Sequence, residues 1–338
     1  MSDDALKTLF HPLKAGLLDM PDGGRWIAAG LGAGLSLPAD FGAGLTLVQG
    51  FKPDHDALRR AGFQVVPGWP DATAPRFDGA MILLGRHRGQ NERWLHEAVV
   101  RLRPGALVLV AGGKTEGAQS FARRLKPLLP DVATIAKHHG LAMWFRRPDD
   151  AAAASLFPPA DEARIDGRFR TAAGMFSHDR IDAGSHLLAA HLPQGLAGAV
   201  ADFCAGWGYL SAEVAARCPG VASIDLYEAD HAALRAAREN LAGCPVAVAF
   251  HWHDLAAEPV ERKYAAIVMN PPFHAGRKAE PSLGQAMIRR AASALKPGGR
   301  LFMVANRQLP YEDELAHHFR SVEKPAEEGG FKVLVAQR

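Results

Sequence analysis

The chain has 338 residues, enough for two domains of ordinary size. Hydrophobic residues make up 48% and charged ones 22%, a globular composition with ample core that excludes a disordered or fibrous chain. The net charge of +3 permits nucleic-acid binding without demanding it, and three cysteines with no C-x-x-C pair argue against a disulfide framework and against a zinc site.

Met1-Ser2-Asp3-Asp4 is acidic and leads into no signal-peptide apolar region. No apolar run is long enough to span a bilayer, so no membrane is expected and the cytoplasm is the expected location. Gly30-Leu31-Gly32-Ala33-Gly34 reads as a glycine loop. The apparent strand after it, Leu45–Gln49, ends without a carboxylate, so the loop is read as packing alone. Residues Arg76–Leu84 read as a strand running into Gly85-Arg86, and Leu102–Ala111 as a Pro-Gly turn and a further strand. Pro148-Asp149-Asp150, the alanines to Ala154, and Pro158-Pro159 read as a linker or a short exposed helix. Domains are therefore expected at 1–148 and 166–338, joined by 149–165.

The second half carries more chemistry. Residues Ala199–Phe203 read as a strand, Cys204–Gly208 as a glycine turn, and Tyr209–Arg217 as a helix. Gly206 and Gly208 let the backbone pass close to a ligand. A second strand, Val221–Tyr227, ends in Glu228, twenty positions beyond Gly208, where an acid suits a ribose diol. The dinucleotide fingerprint G-x-G-x-x-G is absent, so the turn suits a nucleoside without phosphates. A third strand, Val246–Phe250, leads to His253-Asp254, and an acid there can accept an adenine amino group. His251 and His253 could share a strand face, but no third ligand stands near them, and no metal is expected.

The strand Ala265–Val268 runs through Met269 into Asn270-Pro271-Pro272-Phe273-His274. Two prolines cannot continue a central strand, so the backbone must turn out of the sheet there. The amide oxygen of Asn270 and the neighbouring carbonyl can accept both hydrogens of a planar NH2 group. The ring of Phe273 can stack on the heterocycle that carries it. The plain alternative is a Pro-Pro turn with a buried Phe. Farther on, Leu295–Ala305 repeats the pattern of Leu102–Ala111, as Lys263–His274 repeats that of Arg76–His87. Two copies of one α/β fold follow, and the first lacks the polar residues of the second.

Asp202, Glu228, Asp254 and Asn270-Pro271-Pro272-Phe273 stand in this order at successive strand ends, an order that resembles the class I S-adenosylmethionine-dependent methyltransferases. The resemblance implies two tandem Rossmann-like α/β domains, the N-terminal one degenerate and non-catalytic, with S-adenosyl-L-methionine as cofactor. The G-x-F-S turn at Gly174–Ser177, the D-x-G-S-x-L-L run from Asp182 to Leu188, Asn270–Gly276, Leu309-Pro310-Tyr311 and Gly330–Leu334 narrow it. Together they resemble the ribosomal RNA small subunit methyltransferase C family, which methylates a guanine N2 amine in 16S rRNA. One departure from the family's D-x-G-x-G-x-G loop is Cys204 in place of the first glycine, and Trp207 fills a position usually small.

By that resemblance, Asp202, Cys204, Gly206 and Gly208 shape the methionine pocket, Glu228 takes the ribose hydroxyls and Asp254 the adenine amine. Phe176 and Ser177 close the pocket. Asn270 borders the cofactor, and with Pro271, Pro272 and Phe273 it orients the target amine. The target base must be unpaired or flipped to reach such a pocket. Arg277 and Lys278 are the expected RNA contacts, with Arg164, Arg168, Arg170, Arg289, Arg290 and Lys332 as weaker candidates. The implied partner is ribosomal RNA within the 30S subunit, met by a monomer. Other readings stay open: guanine N2 of 23S rRNA, a glutamine amide, DNA adenine, or a catalytically silent RNA-binding assembly protein.

Overall fold

The computed structural model describes residues 3–74, 76–158, 164–272, 274–275, 278–279 and 281–338. It divides into two units, Met1–Asp161 with Ala172–Gly174, and Glu162–Thr171 with Met175–Arg338.

The first unit contains β1 (Arg25–Ala29), β2 (Gly44–Val48), β3 (Gln64–Val66), β4 (Phe77–Leu83), β5 (Leu102–Gly113), β6 (Ala133–Lys137) and β7 (Gly140–Arg146). They form one sheet in the order β3-β2-β1-β4-β5-β7-β6. The first five run parallel, β7 lies antiparallel to β5, and β6 closes the sheet antiparallel to β7. Strands β1 and β4 are apolar along most of their length because helices cover both faces of the sheet. Ile27, Ala80 and Val108 face one layer with Leu95 and Phe121, while Ala28, Met81 and Leu109 face the other with Leu9 and Phe10. That division is the two-residue alternation of a strand. The segment read as a linker is helical over Asp150–Ala154, and the side chain of Asp149 accepts from the Ala152 N–H at 2.9 Å. Ala153 and Leu156 are buried in the first unit's core.

The second unit opens on a small hairpin, β8 (Arg164–Ile165) with β9 (Phe169–Arg170). Its main sheet uses β10 (Ala197–Phe203), β11 (Gly220–Glu228), β12 (Ala247–Trp252) and β13 (Tyr264–Met269). After a second hairpin, β14 (His274–Ala275) with β15 (Lys278–Ala279), it is completed by β16 (Leu295–Asn306), β17 (Ser321–Glu328) and β18 (Phe331–Gln337). The order, β12-β11-β10-β13-β16-β18-β17, repeats that of the first unit strand for strand. Even the irregularity recurs, between Phe77 and Gly79 on β4 and between Tyr264 and Ala266 on β13. The α/β reading with two tandem Rossmann-like domains is thus what the chain adopts.

The shared register pairs the two copies residue by residue. Ala29 aligns with Val48 and Ile82, as Phe203 aligns with Tyr227 and Met269. Ala28 therefore corresponds to Asp202, Gly30 to Cys204, Gln49 to Glu228 and Leu83 to Asn270. Among the described residues, no helix is long and apolar enough to cross a membrane.

Candidate active site

The site lies at the carboxyl ends of the parallel strands, where the connections from β10 and β13 leave the sheet on either side of the crevice, the usual ligand position in open α/β sheets. Asp202 is the penultimate residue of β10 and is fully buried. Its Oδ2 accepts from the Ser211 hydroxyl at 2.7 Å, and its Oδ1 is buried with no hydrogen-bond partner among the described residues. Burial pushes this carboxyl up to about 7, the bonds from Ser211 offsetting only part of it and the Glu228 charge adding to it.

The turn after β10 is left-handed at Cys204 (φ 60°), Gly206 (φ 55°) and Gly208 (φ 91°). Gly30, which matches Cys204 in the first unit, is also left-handed at φ 78°. The position asks for glycine, and Cys204 holds the conformation at a cost of about 1–2 kcal/mol. Its Sγ lies 3.3 Å from the Met287 Sδ, and burial raises the thiol well above its ordinary range. A Cβ at Gly206 would meet nothing within 4 Å, which leaves open space beside the backbone. At Gly208 a Cβ would sit 3.2 Å from Ala237 and Leu241, so this glycine lets the helix Tyr209–Arg217 pack closely.

Glu228 ends β11, one strand over. Its carboxylate accepts from the N–H groups of Gly206 at 2.7 Å and Asp230 at 2.8 Å. Burial pushes it up to about 7 despite these bonds. In the first unit Gln49 accepts from the Phe51 N–H at 2.9 Å in the same way, with a neutral amide in place of the acid. Asp254 follows β12, two residues beyond the partner of Glu228. Its Oδ1 accepts from Ala256 and Ala257 N–H at 3.0 and 3.4 Å, closing its own turn.

Asn270 follows β13 and is 9% exposed. Its Nδ2 donates to the Asp182 Oδ2 at 3.0 Å and to the Ser185 Oγ at 2.7 Å. Its Oδ1 is buried and has no hydrogen-bond partner among the described residues. Pro271 is buried and Pro272 exposed. Phe273 and Arg277 lie outside the described residues, and Lys278 belongs to β15.

One cleft is lined by Phe176, Ser177, Asp182, Ser185, Cys204, Gly206, Trp207 and Asn270, among others. The structure thus brings five of the expected residues together there. Asp202, Gly208, Glu228 and Asp254 are not among its walls; they stand at or beside neighbouring strand ends of the same sheet edge. Phe176 is 57% exposed, and its carbonyl accepts from the Trp207 indole N–H at 2.9 Å. Ser177 is left-handed (φ 48°) and donates to the Arg180 carbonyl at 2.7 Å. The weaker cationic candidates are mostly engaged: Arg168 with Glu213, Arg170 with Glu239, Arg289 with Glu314, and buried Lys332 with Glu312. Sequence reasoning missed the roles of Asp182, Ser185, Trp207 and Ser211. Asp182 and Ser185 were visible only as a motif, because their contact with Asn270 spans 88 and 85 positions.

The site fits S-adenosyl-L-methionine on its own evidence. The Gly206 backbone is open, acids stand at or just beyond the ends of three adjacent strands, and Asn270, whose Oδ1 is buried without a partner among the described residues, belongs to the cleft wall. Fold and site together define a class I S-adenosylmethionine-dependent methyltransferase. The family model for the Methyltransferase small domain matches residues 166–335. The chain is 29% identical over 306 residues to a ribosomal RNA small subunit methyltransferase C of Hahella chejuensis, covering 84% of this chain and 86% of that one. It is 31% identical over 276 residues to the protein of that name from Pseudomonas fluorescens, covering 79% and 81%. The structure of a T. thermophilus 16S rRNA N2 G1207 methyltransferase in complex with AdoMet and guanosine superposes with a TM-score of 0.79 at 24% identity, over 99% of this chain and 92% of that one. This chain belongs to the ribosomal RNA small subunit methyltransferase C family.

Proposed function

We propose that the protein methylates the exocyclic N2 amine of an unpaired or flipped guanine in 16S rRNA of the small ribosomal subunit. The observation that carries this reading is the Asn270 amide, whose Nδ2 is tied back while Oδ1 stays buried without a partner. A buried acceptor left unpaired costs about 1–3 kcal/mol, which a substrate N–H would offset. The names of the two relatives, small-subunit rRNA methyltransferases, support rRNA over a glutamine amide or DNA adenine, and that of the T. thermophilus 16S rRNA N2 G1207 methyltransferase supports guanine N2.

The guanine N2 lone pair is delocalised into the ring. Asn270 Oδ1 and the Pro271 carbonyl, accepting its hydrogens, favour a pyramidal and nucleophilic nitrogen, with Phe273 stacking on the base. S-adenosyl-L-methionine, when bound, supplies an activated methyl group on a sulfonium. Asp202, Cys204, Gly206 and Gly208 shape the pocket for its methionine part, Glu228 takes the ribose hydroxyls, and Asp254 the adenine amine. Phe176 and Ser177 close it, and Arg277 and Lys278 meet RNA phosphates. Catalysis is then mostly positioning and electrostatics. The alkylated nitrogen is acidic, so its proton passes to water and needs no strong general base. We read residues 1–148 as the non-catalytic copy, 149–165 as the linker and 166–338 as the catalytic domain of a cytoplasmic monomer acting on the 30S subunit.

The test is methyl transfer from labelled donor to 30S subunits, naked 16S rRNA and 50S subunits from cells lacking this protein, with the modified nucleoside identified by mass spectrometry. N2-methylguanosine in the 30S sample is expected. Label in 50S alone would move the target to 23S rRNA. Donor binding with no label in any sample would point to a glutamine amide or DNA adenine, and no donor binding to a silent RNA-binding protein.

A further inference from the structure

We infer that Asp182 and Ser185 are positioning residues that set which end of the Asn270 amide faces the substrate; this rests on the role given to Asn270 above. An asparagine amide is nearly symmetric in shape, so packing alone does not choose between its oxygen and its NH2. The choice decides the chemistry. Oδ1 toward the cleft accepts from a target amine, whereas NH2 toward the cleft would set donor against donor. Asp182 Oδ2 stands 3.0 Å from Nδ2. An ionised carboxylate only accepts hydrogen bonds, so it holds the NH2 on its own side and repels the oxygen. Ser185 Oγ adds a second acceptor at 2.7 Å.

The clamp is itself held in place. The same Asp182 Oδ2 accepts from the Ser185 N–H at 2.8 Å and so caps the helix Ala183–Ala190. Between the two stands Gly184, where a Cβ would lie 2.9 Å from the Phe331 ring and 3.1 Å from Asp182 Oδ2. The D-x-G-S spacing is thereby explained: an acceptor that caps, a residue with no room for a side chain, and a hydroxyl on the first turn.

The test compares S185A and D182N with the unaltered enzyme in turnover on 30S subunits, donor affinity by calorimetry, and hydrogen exchange of the Asn270 side-chain amide by NMR. D182N keeps a helix-capping side chain. Losing one hydrogen bond of ordinary net strength predicts a fall in kcat of roughly tenfold for S185A, and a larger one for D182N, where the charge is lost. KM for RNA and the donor Kd should stay within about twofold, because only the orientation of the acceptor changes. Exchange of the amide protons should quicken in both variants. Unchanged kcat, a donor Kd rising in step with the loss of rate, or unchanged amide exchange would each overturn the inference. If the unaltered enzyme makes no N2-methylguanosine, the proposed function fails, and amide exchange alone then decides the clamp.

Discussion

Asn270→Ala separates activity from stability in a way the structure makes quantitative. The substitution removes the Nδ2 hydrogen bonds to a carboxylate and to a hydroxyl. Such bonds contribute about 1.5–3 and about 0.5–1.5 kcal/mol. It also removes Oδ1, buried and unpaired, whose desolvation costs about 1–3 kcal/mol. Asp182 keeps its bond from the Ser185 N–H, so no buried charge is stranded. The terms nearly offset one another, and the net loss should be about 1 kcal/mol, or roughly 2–4 °C in Tm. Turnover should fall far more, by about 10²–10³, as when one preorganised polar partner of a reacting group is deleted. Donor affinity should hold within about twofold. Calorimetric melting, donor titration and methyl incorporation into 30S subunits measure the three. A Tm loss above about 10 °C would mean that Oδ1 is paired in the folded protein. A donor Kd rising in parallel with the loss of rate would mean that Asn270 serves the donor and not the target.

At Cys204 the usual order of stability should invert. Because φ is 60° there, Cys204→Gly should be at least as stable as Cys204→Ala in urea unfolding, by about 0–1 kcal/mol after allowing for glycine's extra freedom when unfolded. A clear advantage for alanine would show that the left-handed turn carries no strain. Asp202 and Glu228 are both held at about 7, above their unfolded values. The folded state binds their protons more tightly, so the stability they contribute is full below about pH 4 and is lost as pH rises through 7. Donor binding should run the other way, tightening between pH 6 and 8 as Glu228 ionises to accept the ribose hydroxyls. A donor Kd flat across that range, measured by calorimetry, would remove Glu228 from the ribose.

The strands were legible because buried parallel strands are apolar runs, and the duplication because Leu-x-Pro-Gly turns recur at matching places. The third strand, expected at Val246–Phe250, runs Ala247–Trp252, a shift at the ends where periodicity says least. The three acids and Asn270 were legible because each stands within one residue of a strand's end or just beyond it. What stayed hidden depends on contacts between distant segments. Nothing near Asp182 in sequence announces that its carboxylate meets Asn270. The indole of Trp207, seen only as an oversized residue, turns out to tie the Phe176 carbonyl to the glycine turn. The strain at Cys204 became readable through the register that sets it against Gly30.

That register gives the chain its own reference state. Where the second half places Asp202, Glu228 and Asn270, the first places Ala28, Gln49 and Leu83, and both Ala28 and Leu83 are buried apolar residues. One copy of the fold fills these positions with two buried apolar residues and a neutral, hydrogen-bonded amide, and the other with desolvated acids and oxygens unpaired among the described residues. A lower stability of the second unit is the expected consequence. It can be sought within one polypeptide, in one buffer, by asking whether amides near β10 and β13 open more readily to hydrogen exchange than their counterparts near β1 and β4.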